Sequence, residues 1–247
     1  MTSSSNELRI VLVGRTGNGK SATGNSLLSG RAAFKATQSA ASVTKDCSSE
    51  TNHININGMN KKLVVVDTPG FFDTDPENTN DMVKNRISKQ IFEMTSPGVH
   101  VFLFVLSSRR FTPEEKQTVD FIESIFGTGV TQYGIVVFTH LDDLEEDEDY
   151  TNLDHFVRKG PSGLQELIRK CGGRKFAINN KLRDRKLEQH IKPLLEMMDN
   201  LVRTNNGKYY TNAEYTRIEE KLKAEKERKE REEREKIEAR EKALIEK

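Results

Sequence analysis

The sequence has few cysteines and no long apolar run, and each scarcity excludes a class of protein. Its two cysteines, Cys47 and Cys171, are too few for a disulfide framework, and no metal-binding spacing surrounds them. The longest apolar run, residues 99–106, is far too short to span a bilayer. The polar start "MTSSSNE" is unlike a signal peptide, and neither end carries a lipidation motif. We therefore expect a cytoplasmic protein in a reducing compartment, with no transmembrane segment.

Net charge is equally scarce, at +1 for 39 basic and 38 acidic residues. This balance gives no reason to expect nucleic acid or an anionic membrane as a partner. Charged residues are concentrated after residue 212, where pairs such as Glu225 and Lys229 are four residues apart. That spacing predicts a long helix. Its apolar residues are too sparse for a continuous heptad seam, so the helix is either simply solvated or binds an unidentified protein or another copy.

A glycine-rich loop follows the first apolar segment and is typical of phosphate binding. Leu8–Val13 predicts a buried strand, and the next residues, "GRTGNGKS", match the G-x-x-x-x-G-K-[ST] pattern. Such a loop turns its N–H groups toward an anion, and the following helix adds its positive end. We expect Lys20 to reach the β- and γ-phosphates and the Ser21 hydroxyl to ligate Mg²⁺. The expected nucleotide contacts in this loop are Gly14, Arg15, Thr16, Gly17, Asn18, Gly19, Lys20, Ser21 and Ala22.

Two further segments are candidates for the metal and γ-phosphate side of the same site. "VVVDTPG" ends a strand at Asp67, which we expect to hold Mg²⁺ through water, while the Gly70 N–H faces the γ-phosphate. Residues 31–50 are small, polar and aperiodic, as in a loop that a γ-phosphate orders and hydrolysis releases. In this segment Thr44 is the expected Mg²⁺ ligand, and Thr37 is the alternative.

Another motif predicts that the base is guanine. The strand at residues 135–138 is followed by "THLD", a version of the [NT]-K-x-D guanine motif. Asp142 there can accept hydrogen bonds from N1–H and N2–H₂ of guanine, a donor pair that adenine lacks. Asp143 is the alternative if the motif is shifted by one residue. The other expected base contacts are His140, which replaces the usual lysine and could cover the purine face, Leu141, and Asn179, which ends a later strand.

Strand and helix patterns alternate along most of the chain, which predicts an α/β sheet with helices on both faces. Asn57-Gly58 between two strands predicts one antiparallel hairpin in a mostly parallel sheet. The predicted strands are Leu8–Val13, Leu63–Val66, Val99–Leu106, Ile135–Phe138 and Phe176–Ile178. The predicted helices cover residues 81–95, 153–171 and 184–203 and one segment that begins at the cap Thr112, while the acidic run at 142–149 is expected to be a solvated turn. We expect a disordered N-terminus at 1–7, a nucleotide-binding domain at 8–205 and a charged helical extension at 206–247.

The order of these motifs resembles that of the translation-factor-like GTPases. The segments "GRTGNGKSATGNSLL", "SVTKDC", "DTPGFFDT", "RRFTPEEKQTV", "FTHLDDL" and "CGGRKFAINN" are similar to those of the immunity-associated GTPases, the GIMAP family with the avirulence-induced-gene (AIG1) type G domain. Septins and the chloroplast import receptor GTPases are more distant relatives. The resemblance covers about residues 8–198 and implies a P-loop GTPase fold, GTP or GDP with Mg²⁺, and a homodimer or family heterodimer through the nucleotide face. A coiled-coil-like tail also occurs in some members, but the His140-Leu141 pair departs from the basic pair common in vertebrate members.

One group that Ras-like enzymes use is missing from the sequence. They place a water-orienting Gln directly after the D-x-x-G motif, where this chain has Phe71, so we expect an isolated subunit to hydrolyse GTP slowly. The resemblance favours Arg110, in "RRFT", as an arginine delivered across the dimer. We therefore expect a dimer-activated GTPase with Arg110, Lys20 and Thr44 as catalytic groups. The alternative is a GTP-dependent scaffold with negligible hydrolysis, and a P-loop kinase or ATPase is a third, less favoured reading.

Overall fold

The computed structural model describes residues 6–36, 46–70, 81–108, 120 and 122–245, and its strands form one six-stranded sheet. Across the sheet the strand order is β2-β3-β1-β4-β5-β6, and every neighbouring pair is parallel except β2 and β3. This arrangement confirms the expected mostly parallel sheet with one antiparallel pair. The strands are β1 (Glu7–Val13), β2 (Ser48–Ile56), β3 (Met59–Asp67), β4 (Val101–Ser107), β5 (Gly134–Thr139) and β6 (Lys175–Ala177).

The antiparallel pair is a tight hairpin at one edge of the sheet. Asn57 and Gly58 form its turn with φ values of 52° and 81°, the positive angles that a type I′ turn requires. Asn55 supports the turn, because its Oδ1 accepts a hydrogen bond from the Gly58 N–H at 3.0 Å. The dipeptide that predicted the hairpin therefore forms it.

Helices pack on both faces of the sheet, as expected. Two separate apolar clusters show this: one includes Leu27 and Leu194, and the other, on the opposite face, includes Ile91 and Leu164. The described residues include no helix long and apolar enough to cross a membrane. The helices are α1 (Lys20–Leu27), α2 (Asp81–Thr95), α3 (Leu141–Glu146), α4 (Leu153–Lys159), α5 (Ser162–Lys170), α6 (Asp184–Thr204) and α7 (Ala213–Ile245), with a 3₁₀ helix at Thr128–Tyr133.

Two local predictions differ from the structure. The single helical pattern at 153–171 is two helices, α4 and α5, because Gly160 and Pro161 interrupt it and the residue before a proline disfavours the helical conformation. The acidic run expected to be a turn begins as helix α3. For the segment predicted to begin at Thr112, the start lies outside the described residues, and residues 122–126 are helical.

The packing of the domain continues beyond residue 205, where we expected the domain to end. Tyr210 forms an isolated antiparallel bridge with Val99, with N–H···O distances of 3.0 and 2.7 Å. Tyr215, in the first turn of α7, is only 1% exposed, and its hydroxyl lies 2.6 Å from Thr95 Oγ1 of α2. The start of the charged extension is therefore part of the hydrophobic core.

Candidate nucleotide site

The phosphate loop lies between β1 and α1 and requires glycine at three positions. Gly17 and Gly19 have φ values of 81° and 84°, in the left-handed region that other residues rarely adopt. Gly14 packs so closely against β4 that an added Cβ would lie 2.3 Å from the Val105 carbonyl oxygen. Backbone conformation and close packing, rather than flexibility, therefore explain these three glycines.

Side chains of the loop and of β5 hold its shape. Asn18 is buried and donates from Nδ2 to the Val105 carbonyl at 3.0 Å, and its own carbonyl accepts from Thr139 Oγ1 at 2.9 Å. Lys20 Nζ donates to the Arg15 carbonyl at 3.1 Å, which folds the lysine back over the loop. Of the other expected contacts, Arg15 and Thr16 are half-buried in the loop and Ala22 is half-buried in the first turn of α1.

A hydroxyl and a carboxylate from the metal-side motifs meet beside this loop. Ser21 Oγ donates to Asp67 Oδ2 at 2.6 Å, although the two residues are 46 positions apart. Asp67 is 1% exposed, and among the described residues no group makes a hydrogen bond to its other oxygen, Oδ1. Burial raises the pKa of the Asp67 carboxyl, against the opposing effects of the Ser21 hydrogen bond and the Lys20 charge. A buried carboxylate with an unused oxygen next to a hydroxyl fits the oxygen ligands that Mg²⁺ requires.

The end of β3 is pressed against the phosphate loop. Thr68 Oγ1 donates to the Leu12 carbonyl of β1 at 2.7 Å and so ties the two strand ends together. Two residues later, a Cβ on Gly70 would lie 1.7 Å from Thr16 Oγ1 and 2.4 Å from Thr16 N. The D-x-x-G motif and the phosphate loop therefore form one continuous surface, and Gly70 is required for their contact.

The predicted base-reading residues begin at the carboxyl end of β5. His140 has a φ of 61° and precedes the first turn of α3, its carbonyl accepts from Ser108 Oγ at 3.0 Å, and its Nδ1 lies 2.9 Å from Thr139 Oγ1. Leu141 and Asp142 follow in the first turn of α3, and the Asp142 carboxylate is paired with Lys181 Nζ.

The loop after β6, residues 178–182, lies between α1 and α3, and we call it the base-side loop. Asn180 ties it to α1, because its Oδ1 accepts from Ser26 Oγ at 2.8 Å and its Nδ2 donates to Thr23 Oγ1 at 3.2 Å. Asn179, the expected base contact, donates from its backbone N–H to Nε2 of His190 at 3.1 Å.

Sequence reasoning did not identify these anchors. The partners of the base-side loop come from α1, α3 and α6, and no local pattern marks His190 or Lys181. Thr44, its alternative Thr37 and the proposed arginine, Arg110, lie outside the described residues, so their predictions stand as made.

Comparison with known proteins identifies the family. The sequence model of the AIG1 family matches residues 8–230. The chain belongs to the AIG1 family. It is 38% identical over 221 residues to immune-associated nucleotide-binding protein 9 of Arabidopsis thaliana, covering 89% of this chain and 62% of that protein. It is 34% identical over 208 residues to GTPase IMAP family member 8 of Homo sapiens, covering 83% of this chain and 29% of that protein. The chain thus spans less than two thirds of the length of these AIG1-family relatives.

Solved structures share the fold of this AIG1-family chain. Toc33 from Arabidopsis thaliana in complex with GDP and Mg²⁺ matches with a TM-score of 0.58 at 17% identity, covering 79% of this chain and 84% of that one. A structure of the chloroplast translocon components atToc33 and psToc159, for whose GTPase activity dimerization is important, matches with a TM-score of 0.57 at 20% identity, covering 80% and 83%. At such low identity the similarity shows a common GTPase fold.

Proposed function

We propose that the chain binds GTP and GDP with Mg²⁺ at its phosphate loop and hydrolyses GTP to GDP and phosphate. Hydrolysis is slow in the monomer and faster in a nucleotide-dependent homodimer or family heterodimer formed through the nucleotide face. Three findings support this proposal. They are the AIG1 family, the GTPase name of the human relative, and the GDP bound in a structure of the same fold.

One observation carries the proposal. Ser21 and Asp67 meet at 2.6 Å beside a loop that only glycine allows to take this shape, and the second Asp67 oxygen is buried with no hydrogen-bond partner among the described residues. A buried carboxylate oxygen without a hydrogen-bond partner is costly. A Mg²⁺ ion ligated by the Ser21 hydroxyl and held through water by Asp67 would give that oxygen a partner.

The described residues have distinct parts in binding. The loop N–H groups and the Lys20 ammonium provide donors and positive charge for the phosphates, and the start of α1 adds its dipole. Ser21 and Asp67 would hold Mg²⁺, with Thr44 as a further proposed ligand, and bound Mg²⁺ offsets the charge that develops on the phosphates. Asp142, His140, Leu141 and Asn179 would surround the guanine.

Titration with fluorescent nucleotides tests the site. Lys20→Ala should remove most nucleotide binding, because the phosphates lose a fixed cation, while Lys192→Ala, on the exposed side of α6, should bind like the parent. Ser21→Asn should weaken Mg²⁺-dependent binding of GTP more than binding of GDP. Unchanged GTP affinity in both site variants would refute the assignment, and tighter binding of ATP than of GTP would favour an ATPase or kinase.

Hydrolysis measured across protein concentration tests dimer activation. An arginine delivered in trans can raise the rate roughly 10³- to 10⁵-fold, so specific activity should rise with concentration and Arg110→Ala should flatten that rise without weakening GTP binding. Mixing Arg110→Ala with Lys20→Ala should partly restore turnover, because an intact arginine then meets an intact site. Activity that is independent of concentration and of Arg110 would refute this mechanism.

A second candidate function is a GTP-dependent scaffold with negligible hydrolysis. The sequence favours it at one point, since Phe71 stands where a water-orienting Gln would follow the D-x-x-G motif. Tight GTP binding with no phosphate release at any protein concentration would select this function. In either case we propose a cytoplasmic protein whose charged helix α7 is available to an unidentified protein.

A further inference from the structure

The base-side loop is held by a histidine that the proposed nucleotide chemistry does not use. His190 lies on α6, eleven residues after Asn179, and its Nε2 accepts the Asn179 backbone N–H at 3.1 Å. The ring is half-buried and lies beside Phe176 of β6, with 5.6 Å between ring centroids. This hydrogen bond joins α6 directly to Asn179, the residue that we expect to contact the base.

We propose that His190 is a positioning residue for guanine binding: as a neutral acceptor it orients the Asn179 backbone, and its protonation breaks this one contact and weakens nucleotide affinity. This inference rests on the proposed function, because it assigns a role at the same site.

The chemistry of the contact sets the direction of the effect. A backbone N–H can only donate, so it requires an imidazole nitrogen that carries no proton. When His190 takes up a proton, Nε2 becomes a second donor facing the first, and the hydrogen bond is lost. Other anchors of the loop do not depend on this nitrogen. They include Asn180 on α1, Lys181 on Asp142, the Lys181 N–H on Asn179 Oδ1 at 2.9 Å and the Ile178 N–H on the Phe138 carbonyl at 2.7 Å.

The surroundings of His190 favour the neutral ring near neutral pH. Burial lowers the pKa of His190 below its usual 6.5, and the Glu145 charge on α3 and a hydrogen bond with the Ala177 backbone oppose that shift. Because the shift is downward, the ring accepts the Asn179 N–H at pH 7 and loses this contact only as the pH falls through the lowered pKa. The contribution of His190 to nucleotide affinity should therefore be lost on the acid side of pH 6.5 and be constant above it.

Nuclear magnetic resonance on the ¹⁵N-labelled chain without nucleotide tests the contact itself. The Asn179 amide signal should titrate with the same midpoint as the His190 ring nitrogens, below pH 6.5, and this titration should vanish in His190→Gln. An Asn179 amide that does not follow the ring would overturn the proposal. Since no nucleotide is present, this result is independent of whether the chain binds guanine.

Fluorescent GDP, titrated at about pH 7.5 and about pH 5.5, tests the consequence. Losing one neutral hydrogen bond should weaken GDP binding about two- to tenfold. The parent chain and the control His53→Gln, which changes an exposed histidine on edge strand β2, should show this loss at the lower pH. At the higher pH, His190→Ala should bind more weakly than the parent, and His190→Gln should bind like the parent. At the lower pH, His190→Gln should lose less affinity than the parent, because its amide oxygen accepts the N–H without titrating and the loss that remains comes from the terminal phosphate of GDP, whose second pKa is about 6.

Competition by inorganic pyrophosphate separates the base side from the phosphate side. Pyrophosphate contacts only the phosphate loop, so its affinity should be equal in the parent and in His190→Ala.

A GDP affinity of His190→Ala equal to that of the parent would overturn the positioning role. A fall in affinity at the lower pH that is as large in His190→Gln as in the parent would assign the titration to a group other than His190 and overturn the pH effect. A parent chain that binds no GDP at either pH would instead refute the proposed function, with the amide titration still deciding the contact.

Discussion

Cutting the charged extension at two nearby points should give opposite results. A chain that ends at Glu220 keeps the first turn of α7, whereas a chain that ends at Thr211 loses Tyr215 and its core contacts. Tyr215 is 1% exposed, its ring lies 4.4 Å from that of Phe92, and its hydroxyl lies 2.6 Å from Thr95 Oγ1. We therefore expect the longer chain to be as stable as the full chain and the shorter one to be strongly destabilised.

The magnitude follows from the size of the buried group. Removing a large aromatic side chain from a core costs about 3–5 kcal/mol, against a total stability of about 5–15 kcal/mol for a domain. The Tyr215 hydroxyl contributes a smaller part of this stability, through one hydrogen bond. Tyr215 is the donor in that bond, because Thr95 Oγ1 already donates its own proton to the Ile91 carbonyl at 2.6 Å. Tyr215→Phe should then cost about 0.5–1.5 kcal/mol and Tyr215→Ala about 3–5 kcal/mol.

Urea unfolding followed by circular dichroism measures these differences. Both shortened chains should lose helical signal, but only the chain ending at Thr211 should unfold at a lower urea concentration. Arg217→Ala, at an exposed position one half-turn from Tyr215, should change the free energy of unfolding by less than about 0.5 kcal/mol. Equal free energies of unfolding for the two shortened chains would refute the idea that Tyr215 belongs to the core.

Two other predictions concern the base and a buried ion pair. Asp142→Asn should exchange guanine preference for xanthine preference in nucleotide competition, because xanthine reverses the required donor; if Asp143→Asn does so instead, the motif is shifted by one residue. Lys61 Nζ of β3 pairs with Asp199 of α6 at 2.5 Å, with side chains 6% and 0% exposed, and Arg203 adds a longer contact at 3.3 Å. Lys61→Met should lower the free energy of unfolding in urea by about 3–5 kcal/mol, since it leaves a buried carboxylate without its lysine partner. The double change Lys61→Met with Asp199→Leu should recover most of that loss. A Lys61→Met chain as stable as the parent would contradict this prediction.

The parts of the protein that the sequence determined are those specified by neighbouring residues. The phosphate loop was predictable because its glycine spacing, the strand before it and the helix after it are contiguous. The hairpin at Asn57-Gly58 was predictable for the same reason, since its turn needs positive φ at two adjacent residues. The alternation of strands and helices predicted the α/β sheet, because parallel strands need crossover helices.

Tertiary structure decided the contacts between residues that are distant in the chain. No local pattern shows that Tyr215 enters the core, since the residues after it are charged and its partners on α2 are 120 or more positions away. The same holds for His190, whose role depends on α6 folding back beside β6. Sequence periodicity indicates which residues of a helix are apolar, but which element a side chain meets depends on the packing of the whole sheet. For that reason the motifs of the site could be recognised in the sequence, whereas the residues that hold these motifs in place could not.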